Sequence, residues 1–374
     1  NKNFNHLKVH SQYSICEGAI KIDELADFCK LNKIKSIGLS DSYNLCGALE
    51  FSEKISKVGT QPIIGTQINI NLKGIFGKIS LYATSETGYK NLTKLSSISY
   101  LKNDGTTEPS CKLEDLRENC EDLVLLTGNY KNFFGKLFYK NKLKDLEHIL
   151  NSFKNSFKDR LYIEIQRHNE HQEKSFENYL LNISKSLQLP LIATQEIFYL
   201  DENMYEAHDA LVCIGEKNFV DDKNRFKYSN NHYFKSQADL EKLYSDIPEA
   251  LENNYNFHLR FNFKPKKSKP ILPSIANKEA NSPEEELSKL AKKGLENRLE
   301  NFILKKKIIK SKDQILEIYK GQLNEFSLSV ALNTAAGLIV AGKEVNFKEA
   351  LNKAKKHLES GEVFNHLTKL QSRS

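Results

Sequence analysis

LYIEIQRHNEHQEKSFENYLLNISKSLQLPLIATQE, residues 161–196, holds one complete strand–helix–strand unit. Leu161–Gln166 and Pro190–Thr194 are short runs rich in apolar and β-branched side chains. Between them, Phe176–Leu187 repeats its apolar residues at helical spacing. Strands joined through a helix pair parallel, because the crossover brings the chain back to the same end of the sheet. The same alternation runs from the start of the chain to about Ile214. Further strands are expected at Leu7–Val9, Ser36–Ser40, Pro62–Ile70, Ile79–Ala83 and Leu123–Thr127, with amphipathic segments at Ile22–Leu31, Tyr89–Ile98 and Leu143–Phe153.

This repetition predicts an α/β fold with a closed or nearly closed barrel. An open doubly wound sheet fits the same alternation. No glycine-rich phosphate loop follows the first strand, which counts against a dinucleotide fold. In a parallel barrel the functional residues sit where strands run into the following loops. Those ends carry His10, Asp41, Gln67, Asn129, Gln166 with His168, and Gln195 with Glu196.

After Ile214 the alternation stops. Helices are expected near Gln237–Tyr244 and Pro248–Leu259, followed by the Pro- and Lys-rich passage Lys264–Pro273. Ser282, Pro283 and Glu285 form a helix-start signal for a helix running to about Phe302. The lysine run Lys305–Lys307 reads as an exposed, cleavable connection. Beyond it lie an Ala-rich apolar stretch, Val330–Ala341, and further helices over Phe347–Leu358 and Val363–Leu370. The expected organisation is therefore 1–262, 263–304 and 305–374.

The 374 residues are 39% hydrophobic and 28% charged, a globular rather than a disordered balance. No apolar run approaches the roughly 18 residues that would span a bilayer, and no signal-peptide pattern opens the chain, so a cytoplasmic protein is expected. The start at Asn1 points to a fragment or a processed product. Six cysteines without a CxxC pair read as free thiols. A net charge of +7 is compatible with an acidic partner. Its sharpest cluster, Lys264, Lys266, Lys267 and Lys269, reads either as a solvated linker or as a nucleic-acid contact.

The segment NHLKVHSQYSICEGA (5–19) resembles the opening motif of PHP domains, in which a strand delivers an HxH pair to a cluster of metals. Residues two apart on a strand point the same way, so both can ligate. Here Lys8 replaces the first histidine and His10 survives. GLSDSYNLCGALEF (38–51) continues the likeness with Ser42 in a histidine place. QPIIGTQINI (61–70) puts Gln67 where a ligand glutamate stands. KISLYATSETGYKNLTKLSS (78–97), LYIEIQRH (161–168), PLIATQEIFYL (190–200) and EAHDALVCI (206–214) follow in order, with Lys78, Glu196 and Phe198 at former ligand places.

Over residues 4–302 the chain resembles the amino-terminal PHP domain of bacterial DNA polymerase III alpha subunits. That resemblance implies a distorted (βα)7 PHP-type barrel followed by an α-helical carboxyl-terminal tail. It also implies a replicase segment that docks the proofreading exonuclease subunit and other replicase subunits, and that meets DNA through polymerase domains lying elsewhere. The parent polymerase would use magnesium; in this chain no cofactor, no catalytic residue and no catalytic metal is expected. The vestigial positions are His10, Glu17, Asp41, Gln67 and Glu196. Glu17 and Glu196 could equally be helix-entry carboxylates, and His168, His171 and His208 have no metal-pair spacing. An alternative is a residual metal-dependent phosphoesterase or exonuclease.

Lys312–Leu370 resembles the carboxyl terminus of anthranilate phosphoribosyltransferase, with Asn333, Ala335, Ala336, Gly342, Lys343, Ser360 and Gly361 in matching spacing. Ser327 and Leu328 depart from its Arg-Asp pair. A truncated fusion with that enzyme and an ordinary Ala-rich helical hairpin are the two readings of this tail.

Overall fold

The computed structural model describes residues 2–103, 105, 108–270, 282–302, 305–324 and 326–372. The chain divides into two compact units, Asn1–Ser268 and Lys269–Ser374.

The first unit is built on eight strands: β1 His6–Val9, β2 Ser36–Ser42, β3 Gln61–Leu72, β4 Ile75–Ala83, β5 Leu123–Leu126, β6 Leu161–Gln166, β7 Leu191–Thr194 and β8 Glu196–Ile197. They form one sheet in the order β7-β6-β5-β4-β3-β2-β1-β8. Only Gln195 separates β7, at one end of the sheet, from β8, at the other. A single interrupted strand thus pairs with β6 through its first half and with β1 through its second. The sheet comes round on itself into a seven-stranded barrel.

Strict parallel pairing does not hold. β3 and β4 form an antiparallel hairpin, and β5 also pairs antiparallel with β4, so β4 alone runs against the rest. The cause is local: Lys73 and Gly74 both have positive φ (49° and 83°), the backbone of a two-residue hairpin turn. Two residues leave no room for a crossover helix, so Ile79–Ala83 must run back along Pro62–Ile70.

Alternation divides the strand residues between two faces. Ile64, Ile68, Ile79, Leu81, Leu125, Ile163 and Ala193 face outward into the clusters covered by helices. Inside, Leu7, Ile63, Tyr82, Val124, Leu126, Tyr162 and Ile192 fill one end of the barrel, closed by Phe257 and Phe261. Gly65 is needed beside this plug, since a Cβ there would lie 2.4 Å from the Tyr82 ring. The other end holds polar side chains. The register of β1 against β2 shifts between His6 and Val9, a bulge that lets neighbouring Leu7 and Lys8 serve the apolar and polar layers of one interior.

Helices Ile22–Leu31, Glu86–Leu101, Leu143–Phe157 and Glu173–Leu187 cover the barrel. The unit extends a few residues past 262. There Ser52 Oγ donates to the Pro265 carbonyl (2.8 Å), and Phe263 packs 5.5 Å from the Tyr89 ring.

Within the second unit the described residues form helices Pro283–Phe302, Lys305–Tyr319, Ser327–Val340, Phe347–Glu359 and Glu362–Gln371. Ser282 caps the first, its Oγ accepting from Glu285 N at 3.2 Å. Lys305–Lys307 opens a helix rather than an extended connection; three lysines in succession are good helix formers and contain no breaker. Ile318, Ala331, Ala354 and Leu358 make a small core. The Ala-rich helix buries only its Ser327, Ala331 and Ala335 face, leaving Val340 and Leu328 exposed.

Candidate functional site

The polar end of the barrel is built from the carboxyl ends of the parallel strands and the amino-terminal half of β4. Because β4 is reversed, Lys78 near its start pairs with Asn69 near the end of β3, which brings its ammonium to this mouth. Alternation sends Glu164 and Gln166 of β6, Thr194 of β7 and Glu196 of β8 into the same space.

Two lysines organise the cluster, Lys8 buried and Lys78 half-buried. Lys8, fully buried, has its Nζ 3.4 Å from Glu164 and 4.0 Å from Glu196. Glu164 is fully satisfied: it also accepts from Gly128 N (2.8 Å), Gln166 Nε2 (2.7 Å) and Thr194 Oγ1. Glu196 accepts from Gln67 Nε2 at 2.7 Å and lies 2.8 Å from His10 Nε2. Burial would raise its pKa, but Lys8, His10 and Gln67 hold this carboxyl well below the ordinary range. Lys78 Nζ pairs with Glu17 at 2.5 Å and donates to Ser42 Oγ at 2.9 Å, while Ser42 Oγ donates to Glu17 at 2.6 Å. Burial opposes both charges of this second pair. Their mutual attraction outweighs it, keeping Glu17 low and Lys78 high.

The other ring nitrogen of His10, Nδ1, lies 2.9 Å from Ser14 Oγ, which donates to Asp41 Oδ1 at 2.8 Å. Asp41 also accepts from Ser11 N and Oγ, both at 2.7 Å. Burial nevertheless raises its pKa. Asp41 therefore braces the loop after β1 from behind, while His10, Glu17, Gln67 and Glu196 meet at the mouth. Asn129 joins them, donating to Gln166 Oε1 at 2.9 Å.

A ring of buried histidines backs this cluster. His168 Nε2 accepts from Glu196 N (3.2 Å), its ring stacks on His232 at 3.9 Å, and His232 Nδ1 lies 2.9 Å from the Glu196 carbonyl. His208 Nε2 lies 2.7 Å from the Glu17 carbonyl. Burial, helped at His168 by its His232 neighbour, pulls the pKa of His168 well down and that of His208 to about 4. His171, by contrast, is exposed. Sequence reasoning passed over Glu164 and His232. The signal for Glu164 was available: it is the one carboxylate on the inward Tyr162-Glu164-Gln166 face of a strand. No comparable signal marks His232, which arrives from a loop.

The residues present do not fit a metal cluster. Where a cation would sit between Glu164 and Glu196, the Lys8 ammonium sits. Both nitrogens of His10 are taken, and they point towards carboxylates on opposite sides of its ring. Phe198 and Ser42 offer no imidazole. Among the described residues no three His, Cys, Asp or Glu side chains gather as metal ligands.

A family model for the PHP domain matches residues 6–168. The barrel is of the PHP type. Over 311 residues, 80% of this chain and 27% of the relative, the protein is 36% identical to DNA polymerase III subunit alpha of Caulobacter vibrioides. The same subunit from Rickettsia bellii is 33% identical over 349 residues, 92% of this chain and 30% of the relative. A match of that extent reaches from the PHP domain into the second unit. The chain spans less than a third of the length of these curated relatives. A solved Bifidobacterium adolescentis structure, provisionally assigned as a metal-dependent phosphoesterase, aligns with 52% of this chain and 88% of its own at 12% identity and a TM-score of 0.39. No described helix is long and apolar enough to cross a membrane.

Lys264, Lys266 and Lys267 are exposed at the end of the first unit, with Lys267 3.3 Å from Glu53, and Lys269 is exposed at the start of the second.

Proposed function

We propose that this chain is a non-catalytic PHP segment of a cytoplasmic DNA polymerase III alpha subunit, a scaffold that supports the polymerase and docks its proofreading exonuclease subunit. One observation carries the reading: Lys8 lies between Glu164 and Glu196 where a metal-dependent phosphoesterase would need a cation. A fixed ammonium neutralises the carboxylates but cannot activate a water or take substrate oxygens into its coordination shell. The site's polar groups then hold the barrel together. DNA would be met by polymerase domains of the parent, which would bring magnesium; the lysines at 264–269 are a candidate additional contact. The tail goes with the alpha subunit rather than with a phosphoribosyltransferase fusion, because a likeness covering 92% of this chain must run through the expected junction at 304–310 and into the tail's helices.

The test is metal analysis of the purified chain after dialysis against zinc and manganese, together with a phosphodiester hydrolysis assay. Well under one ion per chain and no turnover are expected. Two or more tightly held ions, with turnover abolished by His10→Ala, would falsify the scaffold reading. The exonuclease part is tested separately by co-purification of the two subunits, and failure to associate removes that part alone.

A further inference from the structure

Helix Pro283–Phe302 keeps its apolar side in solvent. Leu287, Leu290 and Leu295 are each more than half exposed, and with Ala291 they fall at i, i+3, i+4 and i+8, one face of a helix. Its first turn is acidic, with Glu284, Glu285 and Glu286. The same unit leaves a groove open among helices Ser327–Val340, Phe347–Glu359 and Glu362–Gln371. Two adjoining cavities of about 480 and 550 Å³ share Thr334, Ala354 and His357. Lys353 and Lys356 stand at one end of this groove; Val330, Val363 and Leu367 line the other. Lys353, Lys356 and His357 are exposed on the rim, where Glu344 pairs with Lys353 at 2.6 Å and Glu362 lies 3.2 Å from His357.

Stripe and groove match in length and in charge. Leu287 to Leu295 spans about 12 Å of helix, and Lys353 to Ser360 runs about 10 Å along the groove. The helix is acidic where it begins, and the groove is basic at one end. Both lie open in the same chain, so the helix does not occupy its own groove. Exchange between two copies covers both at once, through a reciprocal two-fold contact. We propose that the groove takes helix Pro283–Phe302 of a second copy of this chain. The acidic first turn sits at the Lys353–Lys356 end, and the leucine stripe runs over Thr334 and Ala354 towards Leu367. The barrel contributes nothing to this contact, which is therefore independent of the scaffold reading.

The test follows the full chain by sedimentation velocity over a range of micromolar concentrations, where a monomer–dimer equilibrium is expected. Leu295→Glu places a charge on the exposed stripe and should weaken the dimer about a hundredfold, roughly tenfold for each of the two grooves. Thr334→Arg, exposed on the groove floor, should do the same from the other side of the contact. Leu328→Glu, exposed outside the groove, should leave the dimer intact. Carbodiimide coupling of mixed isotopically light and heavy chains should join residues 284–286 to Lys353 or Lys356 in light–heavy pairs. A chain that stays monomeric at every concentration overturns the proposal. So do couplings found only within one isotope, which would put the helix in its own groove. A dimer unmoved by Leu295→Glu, or dissolved as fully by Leu328→Glu, shows that another face carries the association and overturns it as well.

Discussion

Lys8 and its two carboxylates pose the central question at the scale of the residue, because a charge with no exposure must be matched or it unfolds its surroundings. The ammonium lies between Glu164 and Glu196, and neither carboxylate has water to fall back on. Removing one member of a buried pair leaves the others uncompensated, at about 3–5 kcal/mol. Lys8→Met keeps the length of the side chain and deletes only the charge. It should lower stability by about that amount, measured by urea denaturation. A loss under about 1 kcal/mol would mean that hydrogen bonds from Gly128, Gln166 and Thr194 suffice to hold Glu164, and that Lys8 is not what replaced the metal. Lys78→Met makes a milder contrast. Glu17 is about a quarter exposed and can be partly rehydrated, so a smaller loss is expected there.

At the scale of the element, the mouth is held by segments that meet through neutral histidines: His168 after β6, His208 on helix Tyr205–Glu216 and His232 on the loop beyond it. Their pKa values are lowered by burial, to about 4 at His208, and His6 near the start of β1 is likewise held to about 4. An unfolded chain binds more protons on these groups as pH falls from about 6.5 towards 4. Their contribution to stability is therefore intact above that window and lost within it. Melting temperature should fall between pH 6.5 and 4, before the depressed carboxylates Glu17 and Glu196 contribute to further loss below about 4.5. A flat melting temperature across the upper window, read by circular dichroism, would show that these rings open to solvent without unfolding. Elements of this kind are also where sequence reading reached its limit. All seven barrel strands were legible because burial on two faces leaves continuous apolar runs, as in LVLL at β5. The reversal of β4 was not, since a lysine at position 73 does not announce a left-handed turn as Asn-Gly would. Glu196–Ile197 was invisible as a strand because two residues carry no period. The site's members were legible one by one, through the places they occupy in the PHP pattern. Their pairing was not: whether Lys8 faces Glu164 depends on a bulge in β1 and on strands more than 150 residues apart.

At the scale of the whole molecule, the two units keep separate cores, and the residues that divide them decide how the protein comes apart. The apolar plug from Leu7 to Phe261 and the outer clusters under the covering helices lie wholly within Asn1–Ser268. The second unit has a much smaller core around Ile318, Ala331, Ala354 and Leu358, and it leaves Leu328, Val340, Val345 and Phe347 in solvent. Exposed apolar surface of this kind drives association. The best protease site also moves with the fold. Lys305–Lys307 opens a helix, whereas Lys266 and Lys267 lie in exposed coil, and Lys264 and Lys269 are shielded from trypsin by the prolines that follow them. Backbone exposed in this way is where nicking concentrates. Limited trypsin digestion should therefore cut first after Lys266 or Lys267 and leave a stable fragment ending there, identified by mass spectrometry. A chain truncated after Ser268 should melt within a few degrees of the full protein, and it should aggregate less because the exposed leucine, valine and phenylalanine side chains are gone. First cleavage in 305–310, or a barrel that unfolds when residues 269–374 are removed, would mean that the later helices complete the PHP domain instead of following it.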